Sequence, residues 1–306
     1  MKISAIVPDE YIGLEIKAYM RRELHMSSQM IKRVKMNGIV NINGVHQNVV
    51  YRFSKGDEIY IEYGTPPRIN QTSVPVLYED EHIIVVNKPS GIVTHPTHGH
   101  LDDSLLTLLS SDTLHPVMRL DRETSGILMV AKDGHSHFSM LERGNLQKKY
   151  LALCFGRFEP ASGRIDLPIK RREGSVMIRD CAPDGKESVT LYRTVFYDPE
   201  TDVSLVEFKL LTGRCHQIRT HSMNMGHPLL SDGLYGPESV DNPSDRYPRS
   251  KELDDLVGRL ALHAYYLKFY NPFSDEEIEL ITDIPDEFRR ALPSAVALDE
   301  LLGKLN

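Results

Sequence analysis

Three stretches of this 306-residue chain carry groups able to do chemistry. The first is HPVMRLDRETSGILMVAKD, residues 115–133, where Arg119 and Arg122 flank Asp121 and Thr124-Ser125-Gly126 make a turn before an apolar run. Positive charge on both sides favours the ionised carboxylate, and an ionised Asp serves as nucleophile or general base. Alone, an Asp in a turn before a strand more often satisfies local backbone groups. The second stretch is KLLTGRCHQIRTHSMNMGHPLLSD, residues 209–232. On a helix, His216 and Arg219 share a face, as do Arg219 and Met223. His216 and His221 stand about 140° apart around such a helix, which excludes a paired zinc ligation; a solvated basic helix is the plain alternative. The third is Lys148-Lys149-Tyr150 at the start of a strand, where a half-buried Tyr in a sheet is the plain alternative.

Two other groupings fare worse. His95, His98 and His100, with Asp102 and Asp103, offer transition-metal ligand types and the reading of a metal-dependent hydrolase. Asp121 and Glu123, two apart on a turn, do not give the opposed carboxylates, about 5 Å or more apart, of a glycosidase.

These groups need a scaffold to bring them together. The strand candidates are HIIVVNK, GILMVAKD, KKYLALCFG, VSLVEFKLL and HAYYLKFYNP. The helix candidates are DSLLTLLSS, GHSHFSMLERG, the run from Cys215 to Met225, and IPDEFRRALPSAVALDELLG. Long strands with helices between them, lacking βαβ regularity, predict an α+β fold with a mixed or antiparallel sheet. Ahead of them, YIGLEIKAYMRREL and SSQMIKRVKMNG predict two short helices, followed by β-rich runs with turns at Asn43-Gly44 and Lys55-Gly56-Asp57. Residues 1–63 are therefore expected as a small α+β domain, 64–75 as a linker and 76–306 as the larger domain.

The composition is that of a water-exposed globular protein, with 41% hydrophobic and 26% charged residues and a formal net charge of −7. No run approaches the roughly 18 apolar residues of a membrane span. The opening MKISAIVPDEYIG meets Pro and acids before a leader could form, so a cytoplasmic location is expected. Cys154, Cys181 and Cys215 lie far apart, which argues against a disulfide scaffold or Cys-rich zinc site. The acidic total hides segregation, because Lys17, Arg21, Arg22, Lys32, Arg33 and Lys35 face the single acid Glu23 within residues 17–35. Net sign therefore excludes no partner, nucleic acid included.

RLDRETSG, KKY and LLTGRCHQIRTH, in this order and spacing, resemble the three active-site motifs of the RluA/RluD-type pseudouridine synthases. NKPSGIVTHP, HPLLSDGLYG and RLALHAYYLKFYNP extend the resemblance over about residues 76–290. SSQMIKRVKMNGIVNING with SKGDEI is similar to the ribosomal S-four-like (alpha-L) RNA-binding module, although YIGLEIKAYM lacks that module's usual opening.

The resemblance implies a pseudouridine-synthase-type catalytic domain that isomerises uridine in structured RNA, with large-subunit ribosomal RNA as the first candidate and transfer RNA as the other. It implies Asp121 as the nucleophile on the glycosidic bond and Arg219 as the residue that keeps it anionic and oriented. Tyr150 is implied as the aromatic stacked on the uracil, and Leu262 as an apolar wall of the pocket. Arg119 is implied as a wedge that fills the space left by a flipped uridine. Arg122, Thr124, His216 and Gln217 are implied as further substrate contacts, and Arg21, Arg22, Lys32, Arg33 and Lys35 as RNA contacts of the amino-terminal module. No metal or cofactor is implied, and a monomer is expected. One departure is Met118, which stands where the family pattern has His before Arg-Leu-Asp. The alternative from another class is a non-catalytic ribosome-assembly factor on the same scaffold; the intact Asp-Tyr-Arg set argues for the enzyme.

Overall fold

The computed structural model describes residues 2–26, 28, 31, 34, 35, 38–62, 74–97, 100, 103–110, 113–237, 246–295 and 303. The chain divides into two compact units: Met1–Thr72 with His95–Leu108, and Ser73–Thr94 with Leu109–Asn306. Both units are thus discontinuous in sequence, and residues 64–73 of the expected linker 64–75, with residue 63 before them, lie outside the described residues.

In the smaller unit, strands β1 (Lys2–Ile6), β2 (Ile39–Ile42), β3 (Val45–His46) and β4 (Glu58–Glu62) form an antiparallel sheet in the order β1-β4-β2-β3. Strand alternation buries Ile59 and Ile61 on one face of β4. Helix α1 (Ile16–Arg22) buries Ile16, Tyr19 and Met20 in the same core, the i, i+3, i+4 spacing of an amphipathic helix. The turn between β2 and β3 uses Asn43 and Gly44, both at positive φ (51° and 79°), as a two-residue hairpin requires. Asp57 secures the second anticipated turn by accepting from the Ser54 amide, Asn43 and Tyr51. Arg21, Arg22 and Lys35 are exposed; Lys32 and Arg33, with much of the anticipated second helix, lie outside the described residues.

The larger unit is built on a ten-stranded sheet. Its strands are β5 (Val76–Glu79), β6 (Ile83–Lys88), β7 (His115–Pro116), β8 (Ser125–Ala131), β9 (Gln147–Phe155), β10 (Ser162–Asp166), β13 (Val189–Asp198), β14 (Val203–Leu210), β15 (Leu262–Asn271) and β16 (Glu276–Ile281). The main path runs β10-β13-β14-β9-β15-β8-β6-β5, with β7 beside β8 and β16 beside β15. A separate hairpin, β11 (Ile169–Arg171) with β12 (Arg179–Cys181), stands off it. The sheet is mixed: every pairing is antiparallel except β8 with β15, which run parallel through His263–Ser125 and Ala264–Gly126. β8 is buried at every position, so its run is continuously apolar after Ser125-Gly126 instead of alternating. Gly126 sits at φ +110°, and a Cβ there would lie 2.2 Å from the Ala264 carbonyl oxygen, so this junction admits only glycine.

The helices are α2 (Leu105–Leu109), α3 (Gly134–Arg143), α4 (Gln217–Asn224), α5 (Ser250–Val257) and α6 (Asp286–Arg290). Asp133 caps α3 by accepting from the Ser136 amide at 2.8 Å. Three helix expectations need correction. α4 begins at Gln217, because His216 adopts a left-handed backbone (φ 56°) as its cap and Cys215 precedes it. The expected carboxyl-terminal helix is interrupted: α6 ends at Arg290 and residues 291–295 around Pro293 are not helical, while 296–302 lie outside the described residues and Gly303 is helical. α5 has no counterpart among the expected helices. Among the described residues no helix is long and apolar enough to cross a membrane.

Candidate active site

Asp121 lies in the loop that enters β8, and the backbone around it is clamped from the end of β6. Lys88, the last residue of β6, is fully buried and donates to the carbonyls of Pro89 (2.9 Å), Ile92 (2.8 Å) and Arg122 (3.2 Å). The Arg122 carbonyl also accepts from the Gly91 amide, and Ser90 donates to the Glu123 carbonyl. Thr94 donates to the Leu120 carbonyl at 2.8 Å and accepts from the Leu120 amide at 3.3 Å. Asp121 closes its own turn by accepting from the Thr124 amide at 3.2 Å. Burial pushes the Lys88 ammonium down to about 7, while the negative charges of Asp121 and Glu123 pull the other way. Lys88 and Thr94 both belong to NKPSGIVTHP, a run whose likeness to the family is visible in the sequence but whose role is not, because its bonds go to backbone that the sequence does not display.

The Asp121 side chain is about one-quarter exposed, with two basic groups near one of its oxygens. Arg219 Nη1 stands 3.5 Å from Asp121 Oδ2 and His216 Nε2 stands 3.8 Å from it. The strong partner of Arg219 is another carboxylate. Arg219 Nε and Nη2 each donate at 2.7 Å to Asp232, and this bidentate pair is almost wholly buried. Asp232 is held in turn by the amides of Leu234 and Tyr235, each at 3.0 Å to Oδ1. Burial opposes the Arg219 charge, but hydrogen bonding and attraction from Asp232, with Asp121 and Tyr235 behind it, leave its pKa raised. The guanidinium also lies 5.1 Å from the centre of the Tyr235 ring. Asp232 and Tyr235, in HPLLSDGLYG, are absent from the expected site residues; the signal that could have found them is the matched run that follows the Arg219 motif.

Tyr235 also sets His216. Its hydroxyl accepts from the Arg179 amide at 2.9 Å and lies 2.8 Å from His216 Nδ1, so the other ring nitrogen faces Asp121. Burial lowers the His216 pKa against the pull of Asp121, which keeps the imidazole neutral at pH 7.

Tyr150 lies on β9, in register with Ala264 on β15, whose other partner is Gly126 of β8. The ring is buried, and burial together with the Asp121 charge raises the phenol pKa. Leu262 is buried at the start of β15, opposite Ala152. Thr124 is buried, whereas Arg119 and Arg122 are exposed, the latter paired with Glu123 at 2.9 Å. Met118 is buried. Gln217 departs from the expected substrate contact: it is buried, its Nε2 donates to Val189 O and Thr190 Oγ1, and its Oε1 accepts from Thr212 Oγ1 and the Arg214 amide. Its hydrogen-bonding capacity is spent inside the protein, fastening α4 to β13.

Among the described residues, the set of three metal-ligand types in mutual reach is Asp121, Cys215 and His216, whose donor atoms lie within 4.8 Å of one another. In the His95 run, His98 and Asp102 lie outside the described residues, and His100 pairs with Asp103 at 2.9 Å.

A carboxylate on the loop entering β8, with a buried arginine at 3.5 Å and a buried tyrosine on the neighbouring β9, is a candidate nucleophilic site. The comparisons give the family of the chain. Residues 82–224 match the family described as RNA pseudouridylate synthase. The chain is 32% identical over 289 residues to the uncharacterized RNA pseudouridine synthase YjbO of Bacillus subtilis, covering 88% of this chain and 95% of that one. It is 33% identical over 303 residues to ribosomal large subunit pseudouridine synthase D of Vibrio parahaemolyticus, covering 91% and 87%. Among solved structures it resembles human RNA pseudouridylate synthase domain containing 1, with TM-score 0.57 and 27% identity over 78% of this chain and 96% of that one. The chain belongs to the RNA pseudouridine synthase family and is an isomerase of uridine in RNA.

Proposed function

We propose that this enzyme isomerises uridine in large-subunit ribosomal RNA, in the cytoplasm, with Asp121 as the nucleophile. The ribosomal substrate is supported by the named activities of relatives at 31% and 33% identity, the ribosomal large subunit pseudouridine synthases C and D. The observation that carries the assignment of Asp121 is the division of Arg219. Its fork is taken by Asp232, so Asp121 receives one flank of the guanidinium at 3.5 Å. The carboxylate is thereby aimed without being capped by a bidentate partner.

Attack by an Asp121 oxygen on the ribose C1′ displaces uracil as its N1 anion. The freed base turns, its C5 bonds to C1′ as the Asp121–C1′ bond breaks, and loss of the C5 proton is balanced by a proton gained at N1, so no co-reactant is consumed. Tyr150 stacks on the base as a neutral phenol, since burial and Asp121 both hold its proton on. The exposed Arg119, two residues from Asp121, enters the space the flipped uridine leaves, and Leu262 walls the pocket. Arg21, Arg22 and Lys35 of the smaller unit grip RNA phosphates.

The test is Asp121→Asn, which keeps shape and removes the anionic oxygen. Under single-turnover conditions it abolishes pseudouridine formation while the RNA is still bound. A rate within tenfold of the wild type would sink the mechanism.

A further inference from the structure

Cys215 takes no part in the reaction as described, yet its thiol belongs to a set that offers a carboxylate oxygen, a sulfur and an imidazole nitrogen within 4.8 Å of one another. We propose that Asp121, Cys215 and His216 form an inhibitory site for a thiophilic divalent cation of the zinc class. Zinc bonds of about 2.0–2.3 Å at tetrahedral angles put neighbouring donors roughly 3.3–3.8 Å apart. His216 Nε2 and Asp121 Oδ2 are already 3.8 Å apart. The Cys215 Sγ lies within 4.8 Å of both, so a change of about 1 Å in its position would complete the set.

The surroundings prepare the histidine as a ligand. Its Nδ1 is tied to the Tyr235 hydroxyl at 2.8 Å, which fixes the ring and leaves Nε2 directed at Asp121. Ligating histidines use such an outer partner to set tautomer and orientation. Freeing Nε2 for a cation places the ring proton on Nδ1, from where it is donated to the Tyr235 oxygen. The phenol hydrogen then needs another acceptor, and the buried Thr220 hydroxyl, which neighbours the Tyr235 oxygen, can take it. The thiol proton is released to solvent as the cation binds. Two guanidiniums border the site: Arg219, whose charge is met by Asp232, and Arg179, which hydrogen-bonds the Cys215 side chain and must release it, staying on its backbone carbonyls, when the cation binds.

A cation here occupies the oxygen that attacks the ribose and competes with RNA. That it inhibits rests on Asp121 as nucleophile; that it binds does not. The experiment uses the intact enzyme with Zn2+ and, for spectroscopy, Co2+. Expected are inhibition by Zn2+ that extra RNA relieves, and a thiolate-to-cobalt charge-transfer band. Cys215→Ser should lose the band and need roughly 100-fold more Zn2+ for half inhibition, whereas Cys181→Ser, at the other half-buried thiol, should change neither. Equal Zn2+ sensitivity of Cys215→Ser and wild type overturns the proposal, as does a missing band. A Cys215-dependent band with full activity overturns inhibition through this site. None of these outcomes depends on Asp121→Asn, whose retained activity is what would overturn the mechanism.

Discussion

The Arg219–Asp232 pair allows a worked test of how the site is held. Both side chains are almost completely buried, with two charge-assisted hydrogen bonds of 2.7 Å. Removing one partner strands the other charge away from water, at a cost of about 3–5 kcal/mol. Arg219→Met leaves Asp232 with only the Leu234 and Tyr235 amides, and Asp232→Asn sets an amide against the guanidinium. Each single variant is therefore expected to lose about 3–5 kcal/mol. The double variant, with no stranded charge, should lose at least about 2 kcal/mol less than the sum. Urea unfolding followed by circular dichroism reads these values from shifts in midpoint at constant slope. Additivity within about 0.5 kcal/mol would show that the two groups do not act as a unit and would refute the reasoning. Arg219→Lys separates charge from shape, because one ammonium cannot serve both Asp232 oxygens and reach Asp121. Its single-turnover rate at saturating RNA is expected to fall roughly 100-fold.

Lys88→Met removes three donors to backbone carbonyls and loosens the turn at Asp121, so both stability and turnover fall. The wild-type Lys88 pKa, lowered to about 7, means that the unfolded chain binds more protons above that pH. Stability from this group therefore rises as pH increases from about 7 towards the unfolded lysine value, and Lys88→Met should flatten that part of the curve. Gln217→Ala should lower the melting temperature while leaving the KM for RNA unchanged; a raised KM at unchanged stability would restore Gln217 as a substrate contact. Replacing Arg21, Arg22 and Lys35 together by Ala should flatten the salt dependence of RNA binding by about 0.7–0.9 in slope for each phosphate these bases neutralise; an unchanged slope removes this patch from the RNA path.

Much of the scaffold was legible in the sequence because burial on both faces writes itself as uninterrupted apolar runs. β6, β8, β9, β14 and β15 all appear where such runs predict them. β16 was hidden because it pairs on one side only, with β15, and its EEIELI reads as acid before it reads as alternation. α5 escaped because SKELDDLV holds just Leu253, Val257 and Ser250 against the core. At the site, residue types were legible while partners were not. Arg219 was found, but the sequence contains no statement that its fork turns to Asp232, thirteen residues on, instead of to Asp121, ninety-eight residues back. Gln217 was singled out by its place in the motif, and only the fold reveals that its amide is consumed by β13 and its neighbours.

The partition of charge follows from that hidden pairing. Two carboxylates and one guanidinium meet at the site, and the guanidinium gives its fork to the buried Asp232 and a single flank to Asp121. If Asp121 alone held the arginine fork, the two charges would cancel and the attacking oxygen would be spent on hydrogen bonds. With Asp232 taking the fork, Arg219 is fixed and the Asp121 carboxylate is left without a bidentate partner. A negative charge on Asp121 would repel an RNA backbone; the exposed Arg119 beside it offsets that repulsion, whereas Arg122 is paired with Glu123. The RLDR sequence thus carries two separate electrostatic duties. Arg119 is exposed and Arg122 is paired with Glu123, while the guanidinium beside the aspartate comes from a helix ninety-eight residues on, held by Asp232 of the following turn.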